Sequence, residues 1–420
     1  MKKAPYTPAV RPKAQHFGDP RLTFPVTYSG TTLLASLSTL HYIVEKQRAK
    51  NVILDFSKSR HVLESGMLPL IPIINKHVAK RNVAFQLILP KDERVASQFR
   101  KCNWAHLIDP LHYDYDENAT ITHCPALRFR NSEEQGQAVD KIIKVVLSST
   151  GVDRDVLRAI EWSLNEITDN VMNHADAQAG YVQATWFREN NIIEFVVADA
   201  GVGIAASLRE SDHALALERA IQEGVTRNKT TNQGNGLYGS YRIAQIGKGQ
   251  FSIQSQYGYL NLKQNGEIKI SNTKSPYAGT TVRWNIKTDV KGILAKALVF
   301  KGEPHEPAFD FIDKISSEGS RVSLPLKEMF PSLGSRDAGS TVQQYIRNIL
   351  VLDSTSIIDC DFSDINIISS SFADEVFGKI FAEFGPMSFM RRVNLMNVEP
   401  DILRLIDRAI MLRSAQMGGA

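Results

Sequence analysis

Cysteine is nearly missing from this chain. Cys102, Cys124 and Cys360 stand far apart among 420 residues, which argues against a disulfide framework or a thiolate metal site and fits a reducing compartment. Long apolar runs are missing too. No stretch reaches the ~18 uninterrupted apolar residues of a membrane helix. The basic start, Met1-Lys2-Lys3-Ala4-Pro5-Tyr6, has no apolar segment behind it and does not read as a secretory signal. Charge of one sign is scarce: the formal net charge is +4, too mild to expect nucleic acid. The early cations Lys2, Lys3, Arg11, Lys13 and Arg21 read as a solvated arm. No membrane partner is expected, and the cytoplasm is the expected location. What remains is ordinary globular composition, 43% hydrophobic and 22% charged, at a length that suits two to four domains.

Along the chain, apolar patterning separates three regions. In the first, to about residue 125, Asn51–Phe56 reads as a buried strand ending in Asp55. Leu68–Val78 has helical spacing, Asn82–Leu89 is a second buried strand stopped by Pro90, and Glu93–Phe99 is helical again. That order implies a small parallel α/β sheet. The middle region opens on Ser132-x-x-Gln135, a capping-box pattern, before a helix to about Ser148. Asp153 can cap the next helix, where Val156, Leu157, Ile160, Leu164, Ile167 and Val171 form an apolar stripe. Strands are expected at 181–187, 192–198, 251–256, 259–263, 268–271 and 281–286, with Gly258 and Asn265-Gly266 as turns. The third region begins near 300. There Ser356–Phe362 repeats the apolar-then-Asp-Phe pattern of Val52–Phe56, followed by helical 372–384, a strand at 393–396 and a last helix at 402–412.

Chemistry concentrates in three pieces of the middle region. Asn165-Glu166-Ile167-Thr168-Asp169-Asn170 puts Glu166 and Asn170 on one helix face. A Glu there can take a proton from an attacking water or hydroxyl, and an Asn amide oxygen can ligate Mg²⁺. Asp199-Ala200-Gly201-Val202-Gly203 follows an apolar strand, and a buried Asp at a strand end needs a partner. Gly234-Asn235-Gly236-Leu237-Tyr238-Gly239 opens a helix whose amide donors suit phosphates. Glycines at these places let backbone approach a nucleotide closely.

Taken in order, the set resembles the GHKL superfamily, which includes gyrase, the heat-shock chaperone ATPase, mismatch-repair ATPases, sensor histidine kinases and anti-sigma-factor serine kinases. The likeness covers about residues 130–290. Glu166-x-x-Asp169-Asn170 resembles its N box, and Asp199-x-Gly201-x-Gly203 the G1 box whose Asp reads the adenine amine. Gly234-x-Gly236-Leu237-x-Gly239 resembles the G2 box over the phosphates. In Gly279-Thr280-Thr281, Thr280 resembles the residue that supports the adenine-binding Asp. The resemblance implies ATP and Mg²⁺ as ligands, Glu166 as base and Asn170 as the metal ligand. Asp169 would order water or cap polar neighbours. A lid over 205–233 would offer Arg227 and Lys229 to the phosphates. Tyr238 departs from the usual small residue of the G2 box.

Both ends of the chain resemble STAS-type domains, with Ser65 and Ser371 at the family's phosphoacceptor position but without the rest of its motif. The expected architecture is therefore α/β and α+β multidomain: a central GHKL (Bergerat) α+β sandwich at 126–292 between STAS-like α/β domains at 1–125 and 300–420. The implied function is a nucleotide-gated ATPase switch acting on a protein partner through the STAS-like domains. The alternatives are a serine or histidine protein kinase and an ATP-binding scaffold without turnover. A homodimer is compatible with each.

Overall fold

A computed structural model describes residues 18–116, 124–149, 151–225, 235–305, 321–330 and 333–417. The chain divides into two compact units. One comprises Met1–Val139, Ser163–Lys287 and Ile293–His305, the other Asp140–Trp162, Thr288–Gly292 and Glu306–Ala420.

In the first unit, strands β1 (Arg21–Thr23), β3 (Asn51–Asp55) and β5 (Ala84–Ile88) form a parallel sheet in the order β1-β3-β5. β2 (Thr27–Tyr28) and β4 (His61–Val62) pair beside it. Helices α1 (Gly30–His41), α2 (Glu64–Arg81), α3 (Glu93–Lys101) and α4 (Trp104–Ile108) complete this part. β3 ends in a buried Asp55, which accepts from Arg21 and from the Ser57 N–H, both at 2.9 Å. That turn stops the strand.

The same unit holds an antiparallel sheet. Its strands are β6 (Leu127–Phe129), β7 (Gly180–Phe187), β8 (Ile192–Asp199), β9 (Phe251–Leu262) and β10 (Ile268–Lys287), in the order β6-β7-β8-β10-β9. α5 (Ser132–Ser149) and α6 (Arg154–His174) lie between β6 and β7 in sequence. α7 (Ile204–Leu208), α8 (His213–Ala220) and α9 (Gly236–Ile246) lie between β8 and β9. A short helix, α10 (Ile293–Ala297), leads to a hairpin of β11 (Val299–Phe300) and β12 (Glu303–Pro304).

Two local expectations are corrected. Three short strands were expected over 251–271; instead β9 runs unbroken through Gly258, and β10 continues from 268 to 287. Gly258 is a close approach rather than a turn, since a Cβ there would sit 2.5 Å from the His213 carbonyl. Asn265-Gly266 does turn, with Gly266 at φ +84°. The capping box at Ser132 does not form. The cap is Asn131, whose Oδ1 accepts from the Glu134 N–H at 2.9 Å, and Gln135 points elsewhere. Both faces of the sheet are buried. Val182, Ala184, Ile193, Phe195 and Val197 fill one. On the other, Tyr181, Val196, Ala198 and Tyr277 join a single core with Met67, Leu68 and Ile71 of α2. This is why β8 reads as a continuous apolar run instead of alternating.

The second unit contains a parallel sheet, β13 (Arg321–Pro325), β14 (Ile357–Asp361) and β15 (Val393–Met396), in that order. β14 ends as β3 does: Asp361 accepts from the Ser363 N–H at 2.9 Å. Helix Arg336–Leu352 is amphipathic, and its Asn348 amide donates to the Leu147 carbonyl at 2.6 Å. Helical Ser370–Phe384 and the final helix Pro400–Met417 fall where the apolar spacing placed them. No described helix is long and apolar enough to cross a membrane.

Candidate functional site at the end of β8

Asp199 closes β8 and is only 2% exposed. Its Oδ1 accepts from the Gly201 N–H at 2.7 Å and the Thr280 N–H at 3.3 Å. Among the described residues no hydrogen bond to its Oδ2 is formed, so that oxygen has acceptor capacity for an incoming amine. Burial pushes the carboxyl up to about 6, against the pull of those two amides and of Lys76. Thr280 thus supports Asp199 through its backbone N–H. Its hydroxyl instead meets Ser255 Oγ at 3.0 Å, and Ser255 Oγ accepts from the Ile204 N–H at 2.9 Å.

The glycines allow neighbouring chain segments to approach more closely than any side chain would permit. A Cβ on Gly201 would strike the Ala175 carbonyl, which also accepts from the Val202 N–H at 2.7 Å. Gly203 has φ +83° and lies against Ser255 and Gln256, while a Cβ on Gly279 would strike the Asp199 carbonyl. These contacts bind the end of α6, the end of β8 and the middle of β10 into one closely packed floor beside Asp199.

A second group of the expected site residues lies on α6. Asn170 donates its amide to the Glu166 carbonyl at 2.8 Å. Its Oδ1 is therefore the atom left to face a cation. Glu166 is half-buried, and burial, followed by the like charge of Asp169, pushes its carboxyl up to about 7. Asp169 is held by Gln135, whose Nε2 donates to Asp169 Oδ1 at 2.7 Å and to Thr168 Oγ1 at 2.9 Å. Against Glu166 sits the first residue of α9: a Cβ on Gly236 would run into Glu166 Oε2 and lie 3.2 Å from its Cβ. The Glu166 side chain and the N-terminus of α9 therefore meet at one place, although Glu166 and Gly236 are 70 residues apart in sequence. Gly236→Ala is expected to displace the Glu166 carboxylate and lower ATP turnover at least tenfold with little change in melting temperature, because a side-chain end can yield where backbone cannot. Calorimetric melting and phosphate release check this together.

Leu237 and Gly239 follow in the first turn of α9, with the Gly239 N–H on the Asn235 carbonyl at 2.7 Å. Tyr238 departs from the small residue of the motif because its ring packs near Phe300, 6.1 Å between centroids. Of the expected lid over 205–233, the part through Ala220 is packed onto the β9–β10 hairpin. Asp212 caps α8 and accepts from Asn272 at 3.1 Å, and the His213 carbonyl lies over Gly258. Arg227, Lys229 and Gly234 lie outside the described residues.

Four functional neighbours were not read from sequence: Gln135, Ser255, Tyr277 and Lys76. Tyr277 is fully buried and its hydroxyl lies 3.0 Å from both the Pro69 and the Asp199 carbonyls. Lys76 donates to the Ala200 and Ala278 carbonyls at 2.8 and 3.3 Å. Only the proximity of Tyr277 to the Gly279-Thr280 motif offered a signal.

Residues 129–245 match a histidine kinase-like ATPase domain. Residues 348–403 match a STAS-like domain of unknown function. The first takes in Glu166, Asp169, Asn170, Asp199 and Gly236, and the second takes in Ser371. Of the two STAS-like ends expected, one is matched. No curated protein matches the chain.

Proposed function

We propose that this chain, with its histidine kinase-like ATPase domain and its STAS-like domain, is a nucleotide-operated regulator. It would bind ATP with Mg²⁺ beside β8, hydrolyse it, and present a different STAS-like surface to a protein partner in each nucleotide state. One observation carries the reading: the Glu166 carboxylate, held near 7, lies against Gly236 one helical turn from the open amide oxygen of Asn170.

In this reading Asp199 accepts the adenine amine on Oδ2, while Gly201, Gly203 and Gly279 admit the base. Glu166 takes a proton from the attacking water, and Gln135 keeps Asp169 from swinging into that water's place. Asn170 Oδ1 would ligate Mg²⁺, which when bound offsets phosphate charge. Asn170→Ala is expected to weaken nucleotide binding in magnesium and to leave magnesium-free affinity near wild type. Equal loss under both conditions would take Asn170 out of the metal's coordination.

The N-terminal sheet supports a second STAS-like domain at 1–125, since β3 leads into Asp55-Phe56-Ser57 as β14 leads into Asp361-Phe362-Ser363, with the same Asp-to-N–H turn. The domain reading is then 1–125, 126–292 and 300–420. A protein-kinase reading draws on Ser65 and Ser371, each in the first turn of a helix and half-buried. Incubation with γ-labelled ATP separates the readings. Free phosphate supports the regulator, label on the chain or on a STAS partner supports the kinase, and bound ATP with neither product supports a scaffold.

A further inference from the structure

Ala200, which follows Asp199, lines a cavity of about 250 Å³. α2 supplies Lys76 and Lys80, β6 and the residue after it supply Arg128 and Arg130, and the loop before β7 supplies Asp176. Four cations thus line it with one carboxylate. Glu134 pairs with Arg130 at 2.7 Å from outside the lining, and the lining side chains themselves carry three more cations than carboxylates. Lys76 is half-buried and is held below its usual range by burial and then by the neighbouring Lys80 charge. Lys80 and Arg130 are exposed, and together these cations draw an anion towards the cavity. Tyr181 and Pro72 wall the space. It lies below the ~300–1,000 Å³ typical of drug-sized ligands, so a small multiply charged ligand suits it better than a polymer. Arg and Lys together favour phosphate oxygens, Arg by its planar fork and Lys as a point charge.

We propose that this cavity binds a small phosphate-bearing anion, and that its occupancy weakens adenine-nucleotide binding through Lys76. The second half rests on the nucleotide reading above; the first does not. Lys76 holds the Ala200 and Ala278 carbonyls that flank Asp199, and its charge favours the Asp199 carboxylate. An anion that draws the ammonium into the cavity loosens those carbonyls and cancels that charge. Both effects disfavour the adenine contact. By linkage, nucleotide weakens the anion by the same factor.

The test uses the full chain and inorganic pyrophosphate in magnesium-free buffer. Pyrophosphate is titrated calorimetrically into wild type and into a Lys80→Gln/Arg128→Gln variant, both with excess ADP so that the probe cannot occupy the nucleotide's own phosphate positions. The expected result is one site in wild type, weakened at least tenfold in the variant, with melting temperature retained. Equal affinity in both proteins, or no binding at millimolar pyrophosphate, would overturn the site. In the second arm, pyrophosphate is expected to raise the ADP dissociation constant severalfold in wild type and not in the variant. The same response in both proteins, or none in wild type, would overturn the coupling. If ADP itself does not bind, the nucleotide reading fails, and the first arm still decides the cavity.

Discussion

Asp199→Asn is expected to lower adenine-nucleotide affinity at least tenfold. The substituted amide keeps an oxygen for the Gly201 and Thr280 N–H groups that Oδ1 now serves. It then presents an NH₂ to the adenine amine, donor against donor. Losing one hydrogen bond to a charged acceptor costs about 1.5–3 kcal/mol, and 1.4 kcal/mol is a factor of about ten. The same change is expected to stabilise the nucleotide-free protein. In the folded state the carboxyl titrates near 6 instead of 3.8, so the folded chain holds that proton more tightly than the unfolded one. Stability therefore rises as pH falls from about 6 towards 4, and at neutral pH the buried charge is a penalty. About two pH units at 1.4 kcal/mol each set an upper bound of about 3 kcal/mol on the gain. Calorimetry reads both quantities. Wild-type ADP affinity in the variant would remove Asp199 from the site.

Glu166→Gln is expected to keep Mg-ATP binding and to slow turnover by about 10²–10⁴, the usual contribution of a positioned general base. The amide is nearly isosteric, so Gly236 keeps its neighbour, but it cannot accept a proton. A base works in its deprotonated form. With the Glu166 carboxyl near 7, wild-type turnover should climb with pH through about 7 and level off above it, and the variant should lose that limb. Unchanged turnover, or a rise with pH that survives the substitution, would leave Glu166 a structural residue.

How much of this could be read from the chain differs from one element to the next. Glu166 and Asn170 share a face because they are four apart on a helix, a relation contained in the helix repeat. Asp153 caps α6 through a bond to a residue two positions on, at 2.9 Å, an equally local matter. Gln135 misled because Ser-x-x-Gln suits a cap, whereas its actual partners, Thr168 and Asp169, lie more than 30 residues away. Gly258 misled because a glycine demanded by a neighbouring helix looks the same in sequence as one demanded by a turn.

By itself the sequence determined the buried strands at β3, β5, β7, β8 and β14, the helix that carries Glu166 and Asn170, the three glycine-bearing motifs, and the residue types able to read adenine, face Mg²⁺ and take a proton. Each depends on residues a few positions apart, where covalent geometry limits the outcomes. Tertiary structure decided the rest. It set Gly236 against Glu166, gave Asp199 its second amide donor from Thr280, and buried the second sheet face under α2 so that Tyr277 and Lys76 reach the carbonyls around Asp199. Those relations join segments 70 to 208 residues apart. Their distances follow from how whole surfaces pack, and no local pattern in the chain encodes them.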